Sequence, residues 1–224
     1  MLHKTRAISL QSMPYRETSL IARFFTEEFG LQSFVVNGVR SAKTRISPGL
    51  FQAMTPVDLV QYHDNRKDLH RLSEIKPAIL LNSVQIHPVK SALAIFVAEY
   101  LSRVLKDHLE NKSFFAFCWF WISRLDEMQD GYESAHLGFI WHSFSYLGIT
   151  PENWQKLMEN SPQIQLEFKS LLEKFLDDES AFAAFRVPSG VRQLVLDALV
   201  NFARSQMEGM GELKSLAILR QVFS

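Results

Sequence analysis

The sequence predicts an α+β fold of two domains, a five-stranded β-barrel at residues 1–76 followed by an all-helical domain at 89–224. Three observations predict it. Apolar residues alternate with period two, punctuated by turn formers, from Ala7 to about Lys76. Pro77 and Pro88 frame an irregular connection, residues 77–88. Beyond it, apolar residues recur at three- and four-residue steps, the period of a helix.

Ala7, Ile8 and Leu10 start the first strand, and Leu20 to Phe25 form a second, largely buried one. Glu27-Glu28-Phe29-Gly30 supplies a turn in which Gly30 readily adopts positive φ. Leu31 to Val36 is the third strand, ended by Asn37-Gly38, and an irregular stretch runs from Arg40 to Gly49. Phe51 to Tyr62 resumes the extended pattern, His63 to Asp68 is polar and turn-like, and Leu69 to Ile75 pairs back as a fifth strand. Five short strands in about 70 residues fit a closed barrel of the oligonucleotide/oligosaccharide-binding (OB) type. A five-stranded sheet capped by helices from the second half is the alternative.

In the second half, Leu93, Phe96, Val97, Tyr100, Leu101 and Val104 line one helical face. Phe114 to Leu125 is apolar almost all round, which predicts a central helix. His136 to Leu147 forms another, stopped by Gly148 and Pro151. Leu166 to Leu176 and Val191 to Met207 follow, the latter after a Pro188-Ser189 cap, with a short terminal helix at Leu213 to Phe223.

The formal net charge of zero hides an asymmetry. Residues 1–76 carry eleven Lys and Arg against seven Asp and Glu, whereas the remainder is acidic by the same margin. A basic front is a hint of polyanion binding. Arg40, Lys43 and Arg45 stand close together in the irregular stretch with no acid between them, and long basic side chains on a loop can reach successive phosphates. Arg16, Arg23, Lys4 and Arg6 extend such a stripe, and Arg66, Lys67 and Arg71 lie on the last hairpin. The competing reading of the same cations is a surface that merely stays soluble.

Several kinds of chemistry find no residues. Cys118 is the only cysteine, which excludes an internal disulfide and any cysteine-built zinc site, and fits a reducing cytoplasm. No signal-peptide pattern opens the chain, and the longest apolar run, Phe114 to Ile122, falls short of the roughly 20 residues that span a bilayer. Phosphate-binding Gly-rich loops and dinucleotide fingerprints are absent. His63 and His70 can meet across a hairpin but read as surface residues, and His136 and His142 do not share a helix face. Cys118, between Phe117 and Trp119, reads as a buried thiol. Glu27-Glu28 and Asp177-Asp178-Glu179 read as a turn and a solvated helix end rather than general acid–base pairs. The aromatic residues from Phe114 to Trp121 read as core rather than a base-stacking platform. No enzyme activity and no cofactor is expected.

The order of short motifs resembles the RecO family of bacterial recombination mediators. Arg6-Ala7-Ile8 followed by Tyr15-Arg16-Glu17-Thr18-Ser19-Leu20 is similar to that family's opening strand and turn. Phe25-Thr26-Glu27-Glu28-Phe29-Gly30 resembles its Phe-Thr-x-x-x-Gly hairpin, and Val36-Asn37-Gly38-Val39-Arg40 stands where it has Lys-Gly-Ala-Arg. Leu50-Phe51-Gln52-Ala53-Met54-Thr55-Pro56 resembles its Leu-Gln-Pro-Phe-Thr-Pro strand. The stretch from Glu99 to Leu105 resembles its first long helix, Tyr146-Leu147-Gly148 the end of its middle helix, and Leu213-Lys214-Ser215 its terminal motif.

The resemblance implies an OB domain that binds single- and double-stranded DNA, anneals complementary strands, and works with RecR to load recombinase onto strands coated by single-stranded DNA-binding protein. It also implies a cytoplasmic, nucleoid-associated protein. Three departures stand out. Ile149 to Gln165 lacks the four-cysteine zinc motif of many members, so no zinc is expected. Asn37 replaces the lysine that precedes the loop glycine. Leu137-Gly138 replaces the basic start of the middle helix, which weakens the case for docking the acidic tail of single-stranded DNA-binding protein there; Trp141, Phe144 and Trp154 offer an apolar groove instead, or ordinary core. A protein-interaction scaffold that binds RecR or single-stranded DNA-binding protein without touching DNA is the alternative function.

Overall fold

Strand β1 (Leu2–Tyr15) is the frame of the barrel, because it serves two partners in turn. Its first half pairs antiparallel with β4 (Pro56–Tyr62), from Leu2↔Tyr62 to Ile8↔Pro56. Its second half pairs with β2 (Ser19–Thr26), and a bulge between Ser9 and Gln11 bends it from one partner to the other. Strand β3 (Gly30–Val36) pairs with β2, and β5 (Leu69–Pro77) joins β3 in parallel and β4 in antiparallel, closing the barrel in the order β1-β2-β3-β5-β4. This is the OB-type barrel, followed by helices as the sequence predicts. The computed structural model describes residues 2–41, 44, 46–64, 66–106, 109–149 and 187–223.

Alternation along the strands fills the interior. Ala7, Leu20, Ala22, Phe24, Phe34 and Val57 form its buried core, closed at one end by Val39 and Phe51. The β2–β3 turn is tied by Thr26, whose hydroxyl donates to Gly30 O at 2.8 Å and accepts from Phe29 N at 3.1 Å. The extended run expected from Phe51 begins later. Pro48–Phe51 is a single 3-10 turn, Met54 sits at φ 61°, and β4 opens at Pro56. Proline at 48 and 56 withholds two ladder donors, which favours a turn over a strand there.

Five helices are described: α1 (Pro88–Val104), α2 (Lys112–Glu127), α3 (Ala135–Tyr146), α4 (Ser189–Gln206) and α5 (Ser215–Val222). The expected helix at Leu166 to Leu176 lies outside the described residues, as do Trp154 and Asp177-Asp178-Glu179. Asn111 caps α2 by accepting from Phe114 N at 2.9 Å, whereas α4 follows Pro188 with no side-chain cap from it. Phe114, Phe115, Cys118 and Trp121 are fully buried, and Phe120 faces out, so the aromatic run is mainly core. Trp141 and Phe144 are buried as well, which assigns them to packing rather than an open groove. Burial pushes the Cys118 thiol well above its ordinary range, the opposite of an activated thiolate.

Barrel and helices share one core. The outward residues Ile8, Leu10, Phe25 and Leu31 join the cluster built by Phe96, Tyr100 and Phe114. Phe25 meets the rings of Phe114 and Phe115 at 5.9 and 5.5 Å. Each such ring contributes roughly 1.5–3 kcal/mol by leaving water. At Gly30 the backbones touch so closely that a Cβ would stand 2.3 Å from Leu109 O. The connection after β5 is clipped by Asp126 at the end of α2, which accepts from the backbone N–H groups of Asn82, Ser83 and Val84 at 2.7–2.9 Å. Burial raises the Asp126 carboxyl, but these donors outweigh it and hold the group below its ordinary range.

Candidate nucleic-acid interface

In a closed barrel every second side chain points outward, so strand pairing decides which outward residues become neighbours. Met13, Ile21, Val35, Arg71 and Tyr62 are successive cross-strand partners and form one row. Gln11, Arg23, Ser33 and Leu69 form the adjoining row. This surface, across the second half of β1, β2, β3 and the start of β5, carries Arg23 and Arg71 on its strands. Arg66 and Lys67 flank it on the β4–β5 hairpin, where Asp64 accepts from Arg66 N at 3.2 Å and lies 3.7 Å from the Lys67 ammonium.

Arg40 and Arg16 meet beyond the far end of β3. Arg40 N donates to Thr18 O at 3.0 Å, and the exposed Arg40 guanidinium reaches Arg16 O at 3.5 Å. Arg16 itself has φ 55° and its guanidinium lies 5.1 Å from the Tyr15 ring. Lys43 and Arg45, the other two cations of that loop, lie outside the described residues. Arg71 makes no ion pair among the described residues and is exposed. Arg23 is half-buried and borders a groove with Glu99, Arg103 and Lys214 from the helices.

Lys4 and Arg6 point the other way. The first half of β1 pairs with β4, so Lys4 neighbours Val60 and Glu74 while Arg6 neighbours Asp58 and Lys76. Glu27 and Glu28 border the same shallow cavity of about 450 Å³. The Arg6 guanidinium bonds the Glu27 carboxylate at 2.5 and 2.8 Å and lies 5.1 Å from the Trp119 ring. The hydrogen bond between them raises Arg6 and lowers Glu27 from their ordinary pKa values. Lys76 lies 3.5 Å from Glu74, and Lys112 bonds Glu28 at 2.8 Å. The turn acids are thus acceptors for local cations. The structure therefore divides the predicted stripe: Arg16, Arg23, Arg40, Arg66 and Lys67 belong to one side of the barrel, Lys4 and Arg6 to an acid-rich other side.

Three further residues belong to the first side: Arg71, which the sequence places on the hairpin, Asn37, which stands where the family has lysine, and Tyr62, which no local pattern marks. Asn37 takes the Ser19 hydroxyl on one end of its amide at 3.0 Å. The histidines also differ from expectation. His70 is buried, stacked on His63 at 5.3 Å, and Gln32 Nε2 sits 3.1 Å from its Nε2 and 3.2 Å from His63 Nδ1. Three strand ends converge there and cover the ring, a juxtaposition that local composition does not encode. Among the described residues no group of three or more His, Cys, Asp or Glu side chains is placed to hold a metal ion, and no helix is long and apolar enough to cross a membrane.

Comparison with known proteins agrees with this architecture. Residues 1–80 match the family model described as recombination protein O N terminal. Over its whole length the chain is 28% identical to the DNA repair protein RecO of Azobacteroides pseudotrichonymphae, covering all of both chains. It is also 28% identical to that of Flavobacterium psychrophilum over 99% of each chain. A third relative, DNA repair protein RecO of Phocaeicola vulgatus, is 33% identical over 151 residues, 67% of this chain and 63% of that one. Barrel topology, ordered motifs and full-length similarity lead to one conclusion: the chain belongs to the RecO family of DNA repair proteins.

Proposed function

We propose that the protein binds DNA along the β2–β3–β5 face of its barrel and acts in recombinational repair by annealing strands and helping to load recombinase. The observation that carries this reading is the segregation of charge around the barrel. One side gathers Arg16, Arg23, Arg40, Arg66, Lys67 and Arg71 beside exposed Met13, Tyr62 and Leu69. There Asp64 pairs with Arg66 and Lys67, whereas on the other side Lys4, Arg6 and Lys76 stand among Glu27, Glu28, Asp58 and Glu74. Cations that replace the counterions of phosphates give an affinity that falls with salt. No covalent step is required, so the reading is of a mediator and not an enzyme. Membership of the family supports single- and double-stranded DNA as ligands, RecR as a protein partner, single-stranded DNA-binding protein as a further one, and action at the bacterial nucleoid.

Titration of the full chain with oligonucleotides at two salt concentrations tests the reading. Binding that weakens with salt is expected. The combined Arg40→Ala, Lys43→Ala and Arg45→Ala variant is expected to flatten the log–log salt slope by up to about 0.7 per lost contact on single strands. Folded protein that ignores oligonucleotides in dilute buffer defeats the proposal and leaves the barrel as a docking scaffold for proteins.

A further inference from the structure

Between the end of β3 and the β4–β5 hairpin lies a cavity of about 880 Å³. Val35, Tyr62 and Leu69 give it apolar wall, and Arg66, Lys67 and Arg71 bring three cations to it against one acid, Asp64, which pairs with the first two. Charge alone would explain a phosphate site, but three features exceed that need. Tyr62 is 51% exposed and its ring makes no ring contact among the described residues, so a flat apolar surface stays open amid the cations. The hairpin beneath it is braced: His63 stacks on Phe29 at 4.1 Å and on His70 at 5.3 Å, and Gln32, which bridges both histidines, accepts from Gln61 Nε2 at 2.9 Å. Tyr62 and Leu69, the sequence neighbours of these histidines, are thereby carried on a fixed base. Finally, Asn37 borders the cavity with one end of its amide held by Ser19 and the other without a partner among the described residues.

An open aromatic face, an amide with an unengaged end and adjacent cations match the parts of a nucleotide: planar base, polar base edge and flanking phosphates. We infer that this cavity receives one unstacked nucleobase against Tyr62, its edge toward Asn37 and its neighbouring phosphates on Arg66, Lys67 and Arg71. The inference rests on the DNA-binding reading above and adds a strand preference to it. A single strand can place a base there freely, whereas a duplex must first unpair and unstack it. Single strands are therefore bound more tightly than duplex of equal length.

The test measures binding of the full chain to a thymidine oligonucleotide, to a wholly abasic strand of the same length, and to duplex. The wild type is expected to bind the abasic strand about 10-fold more weakly than the thymidine strand. Tyr62→Ala is expected to lose about 10-fold on thymidine and to distinguish the two strands no longer. Its salt slope should match the wild type, because Tyr62 carries no charge. Equal wild-type affinity for thymidine and abasic strands overturns the base pocket while the phosphate reading stands. So does discrimination that survives Tyr62→Ala. Absence of binding to all three ligands in dilute buffer overturns both. Should Tyr62→Ala not fold, the wild-type comparison of thymidine with abasic strand decides alone.

Discussion

The barrel and the helices use their charged residues in opposite ways. On the barrel, Arg66, Lys67 and Arg71 are exposed around a cavity and outnumber its one lining acid, Asp64, which pairs with the first two. Among the helices, charged groups are turned inward to hold chain segments. Lys90, 3% exposed, donates to Ser83 Oγ, Asp126 O and Met128 O at 2.7, 3.0 and 2.6 Å. Glu99 caps α5 by accepting from Lys214 N and Ser215 N at 3.0 and 2.7 Å. The difference teaches that net charge is a poor guide to function: cations act on a partner where they stay exposed and outnumber the acids beside them.

Five variants sharpen or break that contrast. The largest effect is expected from reversing the available charges. Arg66→Glu with Lys67→Glu and Arg71→Glu should weaken single-strand binding by roughly 100-fold and flatten the salt slope by about 2 units. Lys4→Ala with Lys76→Ala, on the acid-rich side, should leave that slope where it was. Equal losses from both sets would erase the distinction between the two sides of the barrel.

Next in size, Lys90→Ala should cost about 3 kcal/mol of stability, since three acceptors, the Met128 carbonyl among them buried, lose their donor. Urea denaturation measures it, and a native midpoint would show that the ammonium is not a structural clip. The DNA salt slope should not change. Gly30→Ala should cost about 2 kcal/mol or more, because φ is 65° and the new Cβ meets Leu109 O. A variant as stable as the wild type would mean that the barrel–helix seam yields easily.

An effect confined to acid concerns His136, buried between Phe96 and Phe223, whose pKa burial lowers from the ordinary 6.5 to about 3, with nearby Arg192 acting the same way. The unfolded chain takes up this proton before the folded one does. Stability is therefore full above pH 6.5 and falls on acidification towards 3, by up to about 1.4 kcal/mol per pH unit. His136→Leu should remove that one-proton slope from denaturation curves recorded across pH 3 to 7. An unchanged acid limb would assign the loss to carboxylates instead.

Much of the fold was legible because periodicity is local. Strands β2, β3 and β5 and all five described helices lie where apolar spacing put them, within a few residues. Strand β1 was read only in part. Its bulge at Ser9 and Gln11 breaks the alternation, and its outward Lys4 and Gln11 look like loop residues in a one-dimensional pattern. For the candidate site, the sequence puts Arg23 in a basic stripe and Arg71 on the last hairpin but cannot say which side of a closed surface each occupies. The bend of β1 sends Lys4 and Arg6 to β4 and leaves Arg16, just past its end, beside β2, so Arg6 and Arg16, ten apart in the chain, end on different sides.

Composition and periodicity by themselves determined the order of barrel and helices, the basic balance of the front, and the lone buried cysteine, because each depends on neighbours along the chain. Only the tertiary structure decided which cations keep company with carboxylates, that His63 and His70 brace a hairpin, and that Tyr62 stands open beside Arg71. Those outcomes follow from strand pairing between distant segments, β1 with β4 and β3 with β5 in parallel. Register between such segments is set by the whole core they jointly bury, not by any one of them.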